Sequence, residues 1–461
     1  MITPTELIER ITAAADYHDC IVIVQYKTQA NLRWASSTLT TNGVIAEQHV
    51  TVIAFVEVDG GLATGSLTFS DVDPSQYAAI AAAAADVARA AGKSDDAVEL
   101  LTDTTYGDWH GAHQATGPEV FSSFAPALGE SFRQSHADQI ELFGYAEHTH
   151  QSTWVGSKGG LRLRHDQPSG RVEMTAKSHN RTRSTWEGRP TRDFTTISMA
   201  DIDANVRQRL AWQERTSAYE PGRYTTVVPS GAMADLMAYI LWTSSGRDAF
   251  EGRSVFAQKG APGTTRVGEL LASMPVNLFS DPTYPGLETS PFVVATESNQ
   301  FTSVFDNGVS LPRFDLVNRG HLDSLITSRA SSARTGLDFS PVGDNMITEL
   351  PGASGDLNSL VAGVDKGLLI TTFWYIRTVD PTTYLLTGLT RDGVYEIRDG
   401  EVIGAVNNFR WNESPVDLLS RIAAVGATEV TATRELEEFQ HTAAPAVVFR
   451  DFNMSTVSQA N

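Results

Sequence analysis

Histidines and arginines supply most of the groups in this sequence whose type and spacing could do chemistry. His148 and His150 flank Thr149 in a strand-like run, where alternation places both imidazoles on one face, a spacing able to grip zinc. A catalytic zinc takes three protein ligands, and the sequence places no third Cys, His or carboxylate beside the pair. The expectation is two half-exposed strand histidines. His110 and His113 lie in a loop-like stretch and are expected to be solvated. Between Lys158 and Arg192 the basic residues, Arg162, Arg164, Arg171, Arg181, Arg183 and Arg189 among them, outnumber Asp166, Glu173 and Glu187. With Trp154 and Trp186 nearby, such a patch could take an acidic peptide or nucleic acid. The same alternation suits a solvated sheet face that offsets an acidic chain, and that reading is preferred.

Signatures of the common catalytic machineries are missing. There is no GxGxxG after a strand, no GxxxxGK[ST], no GxSxG and no HExxH. The whole chain of 461 residues carries a formal net charge of −20, which repels phosphate backbones over its average surface. Nucleic acid is therefore not an expected partner. A lone cysteine, Cys20, excludes an intramolecular disulfide and any multi-thiolate metal site, and suits the cytosol. No apolar run reaches membrane-spanning length, and the opening Met-Ile-Thr-Pro-Thr-Glu lacks the basic start of a signal peptide. A cytoplasmic protein without a membrane partner is expected.

The elements that must position these groups follow from capping and periodicity. Thr3-Pro4-Thr5-Glu6 opens a helix, and a second runs from about Pro74 to Ala91 between an Asp73 cap and a Gly92 stop. Period-2 runs predict strands over 20–26, 30–36, 50–58 and 62–69, with a hairpin at Asp59-Gly60-Gly61. A helix is expected from Thr116 towards Ser135, then strands over 140–149, 160–165 and 171–177, then a polar helix over 200–216. Tyr219-Glu220-Pro221-Gly222 breaks the chain and sets the expected boundary between domains 1–218 and 219–461. Beyond it come a strand over 224–228, an apolar helix over 232–242, many short strands, and helices over 357–364 and 415–425; residues after Asp451 are expected to fray. The class is α+β: a layer of hairpins and long helices, then a barrel-like domain rich in antiparallel strands.

Several segments of the second half, in order, carry a family resemblance. They are Pro221-Gly222-Arg223-Tyr224-Thr225-Thr226-Val227-Val228-Pro229, the helix that follows, and Phe250-Glu251-Gly252-Arg253. Then come Phe305-Asp306-Asn307-Gly308, Leu350-Pro351-Gly352, Gly367-Leu368-Leu369-Ile370 and Tyr395-Glu396-Ile397-Arg398-Asp399-Gly400. The chain resembles the TldD/PmbA family, two-domain proteins linked to peptide processing and historically called modulators of DNA gyrase. In its catalytic branch the helix after the opening strand carries HExxH, and a cysteine near the C-terminus adds a third zinc ligand. The corresponding window here reads Ala238-Tyr239-Ile240-Leu241-Trp242-Thr243, without His, Glu or Asp, and residues 433–448 hold no cysteine.

The resemblance thus implies the non-catalytic PmbA (or TldE) type: a subunit with no catalytic residue, metal or cofactor of its own. It implies a heterodimer with an HExxH-bearing TldD-like subunit that carries the zinc and processes or degrades extended, unfolded peptides. Phe373, Trp374 and Tyr375, in a strand over 367–376, are candidates for an edge that pairs with peptide or partner, although aromatic-rich strands are more often core. The alternatives are a stand-alone hydrolase with a non-standard site, or a nucleic-acid- or gyrase-binding module using residues 158–192.

Overall fold

Thr3 accepts a hydrogen bond from the Glu6 N–H at 3.2 Å, and helix α1 (Pro4–Ala14) opens the chain as its capping residues predict. The computed structural model describes residues 2–70, 72–436 and 441–459. After α1 come β1 (Asp19–Ala35), β2 (Thr38–Val58), β3 (Gly61–Phe69) and α2 (Tyr77–Ala91), which ends at Gly92 with φ 74°. Next are β4 (Thr105–Tyr106), α3 (Phe124–Ala137), β5 (Glu141–Ser157), β6 (Arg162–Ser178), β7 (Arg183–Thr191) and α4 (Met199–Trp212). The strands form one sheet in the order β3-β2-β1-β5-β6-β4, with β7 on β6, and β2 and β3 meet at the Asp59-Gly60 turn.

These strands are longer than their period-2 runs suggested. The runs 20–26 and 30–36 are one strand, because β2 and β5 continue the ladder on both sides through polar Gln25, Lys27 and Gln29. Likewise 160–165 and 171–177 fuse into β6, and Pro168 is tolerated because β7 pairs only from Gly170 onward. β7 itself had no counterpart in the sequence reading. The helix expected from Thr116 begins as a 3₁₀ turn at Pro118–Phe121, with α3 following.

One face of this sheet is apolar along its length. Val22, Val24 and Trp154 pack under α1 and α2, while Leu32, Trp34 and Val172 pack with residues of α3 and α4. Alanines 81, 84, 85 and 88 let α2 lie almost on the backbone: a Cβ at Gly65 of β3 would sit 2.4 Å from the Ala84 carbonyl. The opposite face changes character halfway. Ile21, Ile23, Ile53, Phe55 and Val155 pack against Phe292, Val304 and Phe305 from the second half of the chain. Beyond them the face turns polar.

The second half contains β8 (Thr216–Ser217), β9 (Gly222–Val228), α5 (Ser230–Trp242), α6 (Gly246–Phe250), β10 (Asn277–Ser280), β11 (Phe314–Asn318), β12 (His321–Leu322) and α7 (Arg329–Thr335). It continues with β13 (Met346–Glu349), α8 (Leu357–Ala362), β14 (Lys366–Ile370), β15 (Phe373–Asp380), β16 (Leu385–Thr390), β17 (Val394–Arg398) and β18 (Glu401–Val406). It ends with β19 (Phe409–Glu413), α9 (Pro415–Leu419), β20 (Ile422–Thr431) and β21 (Thr442–Val457). The fold is α+β with two sheets, the second curled as a half-barrel around α5 and its neighbours. Asp399 and Gly400, both at positive φ, turn β17 into β18.

Two expectations about this half are corrected. The helix over 415–425 stops at Leu419, because Ile422 to Thr431 pairs with β21 as a strand. From Phe452 to Val457 the tail does not fray: β21 pairs with β9, β13, β19 and β20, and Phe452 and Met454 are fully buried, while residues 460–461 lie outside the described residues. Asp306, within one of the quoted segments, accepts the Arg329 Nε–H at 2.7 Å, and Arg329 Nη1 donates to Glu99 O in the first half.

Candidate functional site

Where the first sheet turns polar, it walls a cleft of about 560 Å³ against the second half. Lys27, Glu147, Thr149, Gln151, Gln167 and Ser169 line it from the sheet; Leu241, Trp242, Phe292, Thr327 and Val342 line it from the other side. The C-terminal end of α5, the Ala238–Thr243 window, therefore reaches the cleft. Ala238 and Ile240 are fully buried, Leu241 nearly so, and Trp242 is 40% exposed at the end of the helix. Tyr239 is buried with its hydroxyl donating to Ile376 O at 3.2 Å, and its ring meets Trp242 edge-on at 5.5 Å. A zinc ion needs nitrogen, sulfur or carboxylate ligands, and this window offers none. The residues present do not fit the metal.

A carboxylate does lie on α5, one turn earlier, and the sequence reading passed over it. Asp235 is 1% exposed and accepts the backbone N–H groups of Arg434 and Glu435, each at 3.1 Å. Burial pushes its pKa up to about 7 against the lowering effect of those hydrogen bonds. Glu435 in turn accepts the N–H of Tyr375 at 2.9 Å and of Ile376 at 2.7 Å. Arg434 lies with its guanidinium 5.1 Å over both Trp186 and Trp374 and donates to Thr372 and Asp392. One short segment thus joins α5, β15 and the middle of β7.

The predicted aromatic strand is split. Gly367 to Ile370 lies in β14, between β9 and β17, while Phe373, Trp374 and Tyr375 open β15, which pairs with β16. Phe373 is fully buried against Trp411 and Phe452, Trp374 is half-buried, and Tyr375 stands 54% exposed at φ 55°. Glu435 holds the Tyr375 and Ile376 N–H groups where the ladder register shifts.

Of the two strand histidines, His148 is committed to hydrogen bonds at both ring nitrogens. His148 is buried, its Nδ1 2.7 Å from Thr116 Oγ1 and its Nε2 2.6 Å from Arg192 O, and burial lowers its pKa. His150 is partly buried on the same face. Among the described residues, no group of three or more His, Cys, Asp or Glu side chains could hold a metal ion. His441, just before β21, approaches Ser169 Oγ at 2.8 Å and Gln167 Nε2 at 3.3 Å. This Ser–His contact resembles a nucleophile and its base, but burial drops the His441 pKa to about 4. A base that weak accepts a serine proton poorly at neutral pH. The contact ties β6 to the start of β21.

The basic segment is neutralised from within. Arg164 is 5% exposed and bonds Asp108 O, Ala112 O and Asp166. Arg171 pairs with Glu147, Arg181 with Glu141, Arg189 with Glu187 and Arg192 with Glu288, while Lys158 donates to Tyr17 O. The segment is not the single solvated sheet face that the alternation suggested: Arg164 and Arg171 lie on opposite faces of β6, at 5% and 15% exposure.

Residues 221–456, from the break before β9 to the end of β21, match the profile of the PmbA/TldA metallopeptidase C-terminal domain. The chain belongs to the TldD/PmbA family. Its fold is that of TldE from Thermococcus kodakarensis, with a TM-score of 0.75 at 14% identity over 97% of this chain and 98% of that one. A protein from Thermotoga maritima described as a modulator of a DNA gyrase gives 0.75 at 16% identity, over 98% and 100%. One from Bacteroides thetaiotaomicron described in the same terms gives 0.72 at 15%, over 99% and 100%. No curated protein matches the sequence. In this TldD/PmbA chain, then, the cleft is walled on one side by an apolar helix end and on the other by a polar sheet face. No helix of the described residues is long and apolar enough to cross a membrane.

Proposed function

We propose that this chain is the non-catalytic subunit of a heteromeric TldD/PmbA-type metallopeptidase. The observation that carries the reading is the Ala238–Thr243 window, which meets the cleft through Leu241 and Trp242, with the Tyr239 hydroxyl already bonded and no side chain able to ligate zinc. Water activation would then belong to a partner subunit with HExxH on its equivalent helix, which would supply the zinc. This chain would contribute shape: a partner interface, and a cleft whose polar sheet face suits the main chain of an extended peptide better than a folded surface. The committed state of His148 and the weak basicity of His441 also favour this reading over a stand-alone hydrolase. A cytoplasmic location is part of the proposal.

Reconstitution tests it. Each chain is assayed alone and together on a flexible peptide, with metal content measured on each. Cleavage is expected only from the pair, with zinc retained by the HExxH chain. Full activity from either chain alone would overturn the division of labour.

A further inference from the structure

Two opposite charges in the cleft have no partner. Lys27 of β1 is half-buried in the sheet wall, and its ammonium makes no hydrogen bond or ion pair among the described residues. Glu47, opposite it on β2, turns instead to His49 at 3.6 Å. Asp344, just before β13, also lines the cleft, and its carboxylate is likewise unbonded among the described residues. It is accessible to solvent, yet the protein around it pushes its pKa up, with the field of His165 opposing. The other acids of the cleft are already paired, Glu147 with Arg171 and Asp306 with Arg329. A row of amides runs between the two free charges. Lys27, Gln151 of β5 and Gln167 of β6 are direct cross-strand partners and stand side by side on one sheet face. Gln167 reaches His441 Nε2 at 3.3 Å, and His441 O accepts the N–H of Met346, two residues past Asp344, at 3.0 Å. With strands about 4.8 Å apart, Lys27 and Gln167 are separated by roughly 10 Å. Gln151 donates to Thr153 Oγ1 at 3.5 Å, which leaves its carbonyl oxygen open to a ligand. Leu241, Trp242 and Val342 make the other wall apolar.

We propose that the cleft holds a short peptide with both ends free, laid across β1, β5 and β6 with its carboxylate on Lys27 and its ammonium on Asp344. An extended chain covers about 3.3–3.6 Å per residue, so about three or four residues match the row, and a single amino acid cannot span it. The two unpaired charges select a zwitterion, since a lone anion or cation would answer one and leave the other. The amides between them suit main-chain N–H and C=O groups, and the apolar wall takes side chains. The proposal rests on the subunit reading above in one respect: such peptides are what the paired enzyme would release, and here they bind without being cut.

Calorimetry on the purified chain tests it, with trileucine and its N-acetylated and C-amidated forms as probes. Trileucine is expected to bind, and each cap, which removes one charged contact, to weaken binding about tenfold or more. Lys27→Met is expected to bind trileucine and its C-amide alike while still discriminating against the N-acetyl form. Asp344→Asn is expected to do the reverse. Neither side chain has a partner to lose, so both variants are expected to melt as the wild type does, and the capped peptides probe the same contacts on the unaltered chain. No binding of trileucine, caps without effect, or variants that respond to the caps as wild type does would each overturn the proposal. So would equal binding of a long peptide blocked at both ends, the mark of a cleft built for passing main chain. None of these outcomes involves the partner subunit, so reconstitution decides the division of labour separately.

Discussion

The carboxylate of Asp235 accepts the backbone N–H of Glu435 at 3.1 Å, so an acid inside the most apolar helix of the molecule fixes a segment two hundred residues further on. Helix α5 therefore shapes the cleft through its packed end and positions β15 through Asp235. Glu435 hands the constraint on to Tyr375 and Ile376.

That relationship predicts a pH dependence. The folded-state pKa of Asp235, about 7, lies above its ordinary value of 3.8, so the folded protein holds the proton more tightly than the unfolded chain. Its contribution to stability is fully present below the ordinary value and is lost as pH rises through about 7. The loss is at most about 4 kcal/mol. Asp235→Asn cannot ionise and keeps one acceptor oxygen. Urea denaturation between these pH limits is expected to show a falling stability for the wild type and a flatter profile for D235N. Parallel profiles would refute the assignment.

His441 predicts the opposite slope. Burial lowers its pKa from 6.5 to about 4, so its contribution is present above the ordinary value and is lost as pH falls through the folded one. In His441→Gln that acid-side loss should disappear, measured as the difference between mutant and wild-type unfolding curves. An unchanged acid limb would show that the imidazole is not neutral in the fold.

Arg329 joins the two halves of the chain, and its removal strands the buried Asp306 carboxylate. Arg329→Ala is expected to cost about 3–5 kcal/mol, the usual penalty for leaving a buried charge alone. Adding Asp306→Asn should restore much of it. A double mutant no more stable than R329A would mean that the contact to Glu99 O dominates.

Gly65 predicts a packing effect. A Cβ there would lie 2.4 Å from Ala84 O and Ala88 N, both backbone atoms of α2. Gly65→Ala must push the helix off the sheet, at about 1–3 kcal/mol. Thermal unfolding measures it, and a melting temperature equal to wild type would refute the close approach.

Local signals in the sequence survived folding; distant ones did not announce themselves. The Thr3 cap, the Gly92 stop and the Asp59-Gly60 turn each act within a few residues, and each stands where expected. The polar middle of β1 and the polar end of β21 read as interruptions because main-chain pairing, with β2 and β5 for one and β9 and β19 for the other, carries a strand through residues whose side chains show no apolar period. The Ala238–Trp242 segment was legible as an apolar helix. Asp235 was not, since its partners are main-chain groups that composition cannot reveal. Ser169 and His441 share no local pattern at all.

The position of β21 also bears on how the protein is made. A ribosome lays down β9, β13, β19 and β20 before it reaches the strand that all four pair with. At roughly 5–20 residues per second, β9 waits on the order of tens of seconds in the nascent chain with its partner absent, β13 roughly ten, and β19 and β20 only a few. The first sheet needs nothing from that strand and is free to assemble during translation. Premature termination between Thr191 and Thr442 would release a chain with a finished first sheet and an open second one, a product marked for chaperones or proteases by its own unpaired edges.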